Sequence, residues 1–351
     1  MICEAITEFA GPLSRLERPT PEPQGAEAVV RVSACGVCHS DVHIHEGYFD
    51  LGGGQRMPVT IPLPAVLGHE IEGVVAALGP DAARVNPDVA VGDRVAVYPW
   101  IGCGACAACR RGEQHLCPTN RNLGIARWGG YADACLVPDA AALIPCDGLA
   151  PGAAGLAMCS GLTAYGALMK LDGKGSEEPL VIVGLGGVGL GVLALARALH
   201  RGPILAVDVD PAKRAAAAER GASETLDPAA SEAAAAFVAR TGGAFAVIDT
   251  VGRPETFGFA NAVVRRGGRI VIVGLFGGAA PLPIATVPLR ALSIIGSYVG
   301  SLAEAKALVA LMRKGGVDLP LMEMRPLSAA TAALEDLRAG RVLGRVVLTP
   351  P

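Results

Sequence analysis

Aromatic residues make up only 4% of this 351-residue chain: two Trp, five Tyr and seven Phe. Charge is also sparse, at 18% of residues, with a formal net charge of -3. So even a balance argues against a nucleic-acid or anionic-membrane surface as the main partner. Ten cysteines are too few for a disulfide scaffold in a chain of this length. The 46 glycines follow no Gly-X-Y period, which excludes collagen, and no repeat of solenoid length is present. The opening Met-Ile-Cys-Glu-Ala carries an early acid and no basic stretch, so no secretory signal is expected. The expected setting is the cytoplasm, where cysteines are thiols or metal ligands. Apolar residues, at 51%, are what the chain has in quantity. That fraction excludes disorder, and the length predicts two domains with sizeable cores.

Mean hydropathy is +0.43, and three runs lack any charge: 148–169, 179–196 and 270–289. Each has the length of a membrane helix. Gly and Pro punctuate them, and their flanks lack Lys/Arg clusters and aromatic belts, so no membrane span is expected. All three are read instead as strand and turn. Residues 26–155 read as β-rich. Within them Val29, Val30 and Val32 form a run broken by Arg31, and residues 92–97 form a turn feeding a strand. From residue 180 the rhythm becomes strand, helix, strand. Strands are predicted at 180–183, 204–207, 245–248 and 270–273, and helices at 192–199 and 211–220, the latter with Pro in its first turn and Gly221 after it. Helices at 302–313 and 329–339 and a strand at 342–348 complete the chain. The alternation predicts an α/β fold with a doubly wound parallel sheet.

Gly184-Leu-Gly186-Gly187-Val188-Gly189 has the form G-x-G-x-x-G between a predicted strand and a helix, and Asp208 ends the next strand. In that context the motif is a dinucleotide fingerprint. Gly184 permits the tight turn, Gly186 lets backbone approach the pyrophosphate, and Gly189 allows close helix–strand packing. Asp208 is placed to bond the adenosine ribose hydroxyls. Its charge repels a 2′-phosphate and no Arg directly follows it, so NAD is expected over NADP.

Cys103, Cys106, Cys109 and Cys117 put four thiols within one short loop. The spacing and count suit a tetrahedral zinc site in a lobe with little apolar mass of its own. An iron–sulfur cluster uses the same donors, and a nucleic-acid finger is a further reading, although the lobe offers only Arg110, Arg111, Arg121 and Arg127. Cys38, His69 and Cys159 are far apart in the chain. Two Cys and one His with an open fourth position form a catalytic zinc set, but spacing alone does not bring them together. Cys35-x-x-Cys38 also has the form of a redox pair, His69 that of a core histidine, and Cys159 that of a buried small hydrophobe.

With these residues and with Gly36-Val-Cys-His-Ser-Asp-Val-His43, Gly68-His-Glu70, Gly92-Asp-Arg-Val95, Met158-Cys-Ser-Gly-Leu-Thr-Ala-Tyr165 and Leu343-Gly-Arg-Val-Val-Leu348, nearly the whole chain resembles the zinc-dependent medium-chain alcohol dehydrogenase family, in particular its microbial tetrameric NAD-dependent members. The resemblance implies a GroES-like catalytic domain from residues 1–155 and 296–351, with a zinc lobe near 95–120, and a Rossmann domain at 156–295. It implies two zinc ions per chain and NAD. Cys38, His69 and Cys159 would hold the catalytic zinc, with Glu70 behind it and Asp41 orienting a ligand histidine. Ser40 and His43 match the proton relay. Lys213 would join Asp208 at the ribose, Arg345 would meet the pyrophosphate, and His39 stands where some members have a pyrophosphate-binding Arg. Gly274 and Leu275 are further cofactor candidates. The implied reaction is reversible oxidation of primary or secondary alcohols, with zinc as Lewis acid and hydride passing to nicotinamide; polyol and formaldehyde dehydrogenases are alternatives on the same scaffold. Trp100, Phe49, Leu123, Ile125 and Leu275 are candidates for an apolar substrate pocket. The expected partners are a small alcohol or carbonyl compound and further copies of the chain, as a homotetramer or a dimer, with no nucleic acid and no membrane. A zinc-stapled nucleotide sensor or nucleic-acid binder is the rival reading; it has no need of an open Cys/His/Cys site with Ser40 and His43.

Overall fold

The fold is that of a computed structural model, which describes residues 1–230, 232–317 and 322–351. Its second half is a six-stranded, all-parallel sheet. In spatial order the strands are Glu224–Leu226, Ile204–Val207, Leu180–Val183, Ala244–Asp249, Val264–Ile272 and Ser293–Gly296. Counted along the chain this is the order 3-2-1-4-5-6 of a doubly wound dinucleotide fold. The β-branched run Leu180–Val183 forms the central strand, and all four residues are buried. Helices cover parallel sheets on both faces, so such a strand reads as a continuous apolar run, and each side chain contributes about 1.5–3 kcal/mol of burial.

The first half is an antiparallel sheet built on the long strands Ala28–Gly36 and Glu70–Leu78. The C-terminal strand Arg345–Thr349 joins it, pairing Val347 with Gly36 and Leu348 with Cys35. The chain therefore returns to its first sheet after completing the second. Trp100, Tyr98, Tyr131 and Leu123 are among the largest side chains fully inside this half. Tyr98 Oη donates to the Gly300 carbonyl at 2.8 Å, tying the returning segment to the first sheet.

Most predicted elements are present, including Leu302–Arg313, Pro211–Glu219 and Ala330–Arg338. Several predictions need correction. Within the run 148–169 the first five residues are turn, but 153–169 are helical, not strand: helix Ala153–Leu156 leads through a π-helical turn, Ala157–Gly161, into helix Leu162–Met169. The run is rich in Ala, Leu and Met and poor in β-branched residues, and that preference outweighs its glycines. Arg31 does not break its strand; Ala28–Gly36 is continuous and alternation points Arg31 to solvent. The helix expected from residue 192 begins at Gly187, because the glycine turn is also the helix's first turn. The strand expected at 270–273 starts at Val264, and that expected from 342 starts at Arg345. No helix among the described residues is long and apolar enough to cross a membrane.

Candidate metal and cofactor site

Three separate elements deliver Cys38, His69 and Cys159 to one point, where their ligand atoms lie within 4.8 Å of one another. Cys38 caps helix His39–Glu46 in extended backbone, and Gly47, in the left-handed region, ends it. Asp41 sits three residues into the helix, and its Oδ2 accepts the Cys38 amide at 3.0 Å. The capping interaction therefore fixes the thiol's starting point. Gly68 precedes His69 with φ +92°; a Cβ there would fall 2.4 Å from the Tyr131 ring and 2.7 Å from Cys35 Sγ. Only glycine meets both demands. Cys159 lies in the π-helical turn, a distortion frequent at functional sites.

Asp41 is wholly buried and joins the set together. Its Oδ2 also accepts from Tyr131 Oη at 3.1 Å, and its Oδ1 accepts from the Gly68 amide at 3.2 Å and lies 3.3 Å from His69 Nδ1. Both His69 ring nitrogens are buried without a hydrogen bond among the described residues, Nδ1 facing the Asp41 carboxylate and Nε2 having no polar partner. A buried, unpaired imidazole nitrogen beside two thiols is costly unless it binds something. Two thiolates and a neutral imidazole would offset a divalent cation, and Asp41 would fix the tautomer that offers Nε2. The donor set fits zinc.

Charges shape the surroundings. Burial pulls the His69 imidazole down, but Asp41 and Cys38 together raise it well above its ordinary range. The hydrogen bond with Cys159 and the His69 charge hold the Cys38 thiol well below its usual value, while Cys159 is pushed up. The two sulfurs lie 3.9 Å apart. Glu70 is buried; its Oε1 accepts the Ser160 amide at 3.1 Å, and its Oε2 pairs with Arg345. Burial raises the Glu70 carboxyl against the pull of Arg345.

The four-thiol lobe holds Cys103, Cys106, Cys109 and Cys117 with all sulfurs within 4.8 Å. Backbone amides are aimed at them: Cys103 N lies 3.2 Å from Cys117 Sγ, and Cys106 N and Cys109 N lie 3.4 Å from Cys103 Sγ and Cys106 Sγ. Hydrogen bonds led by the Ala105 amide lower the Cys103 thiol to about 6. Four converging sulfurs that accept N–H bonds are the chemistry of a closed thiolate site, so this donor set also fits zinc.

The glycine turn meets each demand of a dinucleotide site. Gly184 has φ +87°, and a Cβ on Gly189 would lie 1.8 Å from the Gly184 carbonyl oxygen. A Cβ on Gly186 would meet open space, which leaves room for a pyrophosphate at the helix start. Asp208 Oδ2 accepts the Leu185 amide at 2.7 Å and its Oδ1 accepts the Asp210 amide at 2.9 Å. A carboxylate has further lone-pair sites, so ribose hydroxyls can share it. No Arg directly follows Asp208 in sequence, yet Arg214 donates to its carbonyl at 2.7 Å; Asp227 also engages that guanidinium, at 3.2 Å. Lys213 is half-buried in the first turn of the neighbouring helix. Val188 and Gly187 form the first turn of their own helix, and a Cβ on Gly187 would meet Arg345 at 2.5 Å. Arg345 thus stands between the turn and Glu70.

His39 and His43 both sit on the helix that Cys38 caps, and burial lowers both imidazoles. The His39 ring meets Phe276 edge-on at 5.3 Å, just beyond Gly274 and Leu275; the His43 ring lies 5.1 Å from Phe49. Ser40 Oγ is 3.7 Å from Cys38 Sγ. Of the pocket candidates, Trp100 lies 5.4 Å from the His69 ring, Leu275 is exposed, and Leu123 is completely buried in the core. Sequence reasoning missed Tyr131, which bonds Asp41, and Ser160, which bonds Glu70. The paired glycines before Tyr131 were the available signal. It also missed Asp249, whose Oδ1 accepts the Val251 and Gly252 amides at 2.9 and 3.0 Å and so shapes the turn against Gly184.

Known proteins share this arrangement. Residues 24–147 match the alcohol dehydrogenase GroES-like domain, and residues 187–314 match the zinc-binding dehydrogenase family. An NAD-dependent alcohol dehydrogenase of Sulfurisphaera tokodaii is 34% identical over 98% of this chain and 99% of its own length. An alcohol dehydrogenase of Geobacillus stearothermophilus is 33% identical over 99% of this chain and 98% of its own. The solved alcohol dehydrogenase of Aeropyrum pernix superposes with a TM-score of 0.87 at 28% identity, covering all of both chains. The fold and donor sets define a zinc-binding oxidoreductase with a dinucleotide domain. More narrowly, the chain belongs to the zinc-dependent medium-chain alcohol dehydrogenase family.

Proposed function

We propose that this chain catalyses the NAD-dependent, reversible oxidation of primary or secondary alcohols to aldehydes or ketones. The observation that carries this reading is the buried Cys38, His69 and Cys159 set with an unpaired His69 Nε2, held by Asp41 and linked through Glu70 and Arg345 to the glycine turn. Cys38, His69 and Cys159 would hold the catalytic zinc, and Cys103, Cys106, Cys109 and Cys117 the structural one. When bound, zinc supplies Lewis acidity at the substrate oxygen and NAD+ the hydride acceptor.

The protein's own groups handle orientation and protons. Asp41 keeps the His69 ring turned so that Nε2 faces the thiols. Ser40 Oγ would accept the substrate proton, and His43, whose imidazole burial lowers, would receive it for release to solvent. Asp208 and Lys213 would hold the adenosine ribose, Arg345 and His39 would bind the pyrophosphate, and Gly274 and Leu275 would serve as further cofactor contacts. Arg345 also pairs with Glu70 and opposes the burial that raises its carboxyl, and Glu70 would lie behind the metal. Trp100 and Phe49 supply apolar wall. Residues 1–155 and 296–351 would form the catalytic domain and 156–295 the Rossmann domain. We further propose a cytoplasmic homotetramer, with a dimer as its smaller alternative. Among the described residues the outermost parallel strand Ser293–Gly296 has one unpaired edge, and Ile284 and Leu289 near it are 77% and 69% exposed. Free edges and exposed apolar side chains of this kind suit a second copy.

The test is NADH formation with a panel of primary, secondary and aromatic alcohols, together with zinc quantification. Turnover with NAD+ and about two zinc per chain is expected. One zinc per chain and no NADH with any alcohol would favour a nucleotide sensor instead.

A further inference from the structure

A second cavity, of about 280 Å³, lies at the seam between the start of the chain and its returning C-terminal strands. No residue of either donor set or of the glycine turn lines it. One wall is the antiparallel pair Ile2–Ile6 and Ser14–Glu17, in which Glu4 stands directly opposite Arg15. The other forms where the strands Met322–Pro326 and Arg345–Thr349 end, with Leu327 and Ser328 following the first and Pro350 the second. The Leu13 amide donates to Thr331 Oγ1 at 3.1 Å and ties the two walls together. The Glu4 amide donates to the Tyr131 carbonyl at 2.9 Å and anchors the first wall to the main sheet.

Glu4 lines the cavity and is only 8% exposed, yet its carboxylate accepts no hydrogen bond among the described residues. Opposite charges directly across an antiparallel pair ordinarily join. Here Arg15 is exposed and forms no ion pair with Glu4, although its charge opposes the burial that raises the Glu4 carboxyl. The Ser328 hydroxyl also lacks a partner, and Thr349 Oγ1 donates to the Arg325 carbonyl at 3.1 Å, which leaves its lone pairs free to accept. A buried carboxylate is costly without a donor. Ile2, Leu327 and the two prolines offer it none from their side chains, and proline brings no backbone N–H either.

These features define an occupant. The volume lies just under the roughly 300 Å³ at which pockets for drug-sized ligands begin, so the ligand is small. Glu4 calls for a cationic donor and Arg15 for an anionic acceptor. The two residues face each other across adjacent strands, so those groups sit close together on the ligand. The site's own charges cancel, which suits a zwitterion, and the apolar lining suits a hydrocarbon remainder. We propose that this cavity binds a free α-amino acid with an aliphatic side chain, its ammonium on Glu4 and its carboxylate on Arg15.

The experiment is calorimetric titration of the zinc-loaded full chain with L-leucine, with leucinamide, which lacks the carboxylate, and with 4-methylpentanoate, which lacks the ammonium. Leucine is expected to bind, and each analogue to bind about tenfold or more weakly by comparison, the worth of one charged hydrogen bond. Glu4→Gln and Arg15→Gln should each weaken leucine binding by a similar factor, and Ser328→Trp, which fills the cavity from its exposed rim, should abolish it. Arg15 and Ser328 are exposed, so their variants decide the matter even if Glu4→Gln does not fold. No heat with leucine overturns the proposal. So does leucine binding that Arg15→Gln and Ser328→Trp leave unchanged, or leucinamide binding as tightly as leucine, which would make this a site for cations alone. None of these outcomes depends on the dehydrogenase reading, since the cavity shares no residue with that site.

Discussion

The two donor sets of this chain differ in almost every physical respect. The four-thiol lobe comes from a single loop, with Cys103 exposed and Cys106 half-exposed. The Cys38, His69 and Cys159 set draws on three elements and is buried throughout. Backbone amides are the main partners of the lobe sulfurs, whereas Asp41, itself buried and bonded to Tyr131, braces the other set. Four thiolates close a tetrahedron and leave a substrate no position; two thiolates and an imidazole leave one open. Donor number separates a site that holds the protein together from one that meets a ligand, and burial strengthens the electrostatics of the second.

The largest expected break in this contrast is Cys38→Ser. It should lower kcat/KM about a thousandfold or more and reduce zinc from two to one per chain, since a lost metal removes the Lewis acid outright. A variant with full activity, or with both zinc ions retained, would show that Cys38 is not a ligand. Cys106→Ser should act in the opposite sense. It leaves the open site's donors in place but removes the lobe's cross-link, so the apparent Tm should drop by roughly 10 °C while turnover measured well below that temperature changes little. Normal thermal stability in this variant would contradict a structural role for the lobe.

The same contrast explains what could be read from sequence. The lobe was legible because its four donors are separated by short spacings that geometry alone can judge. So was the glycine turn, where strand, helix and Asp208 stand in local order. The open set was legible only through resemblance, because no spacing relates Cys38 to Cys159 across 121 positions. Cys159 also lies in a charge-free run whose glycines suggested strand and turn, while its Ala and Leu content makes helix with a π-helical turn. The partners of Asp41 and Glu70 come from elsewhere in the chain, Tyr131 from 90 residues beyond Asp41 and Arg345 from 275 beyond Glu70. Only the closed fold pairs such groups. Leu123 and Trp100, both buried in the first half, could not be told from core in the sequence for a related reason: an apolar side chain carries no mark of whether it faces a cleft or the core.

Tyr131→Phe sharpens the comparison on a smaller scale. It removes one donor from Asp41 while leaving all seven metal-ligand candidates intact. Zinc affinity at the open set should weaken about tenfold, as expected when support behind a ligand histidine is lost, with the lobe unaffected. Competition with a graded chelator, followed by counting the zinc that remains, would show this as earlier release of one ion of two. Simultaneous release of both ions, as in the wild type, would mean that Asp41 is held well enough by the Cys38 and Gly68 amides alone.

The smallest effect is expected from His43→Gln, and its signature is a pH profile. Burial lowers the His43 imidazole below its ordinary 6.5, against the opposing charges of Glu46 and Cys38. A base must be unprotonated to receive the substrate proton, so oxidation should be fully supported above 6.5 and decline as pH falls through the lowered value. Glutamine keeps a polar side chain beside Phe49 but cannot take up a proton. Activity near pH 8 should fall only a few-fold, because solvent can still accept the proton from Ser40. The acid limb should flatten, so that wild type and variant converge as pH falls. Cys106→Ser, assayed in the same way below its melting point, should keep the wild-type limb, since the lobe contributes no group to proton transfer. A His43→Gln profile parallel to wild type at every pH would remove His43 from the relay and leave Ser40 to discharge directly to solvent.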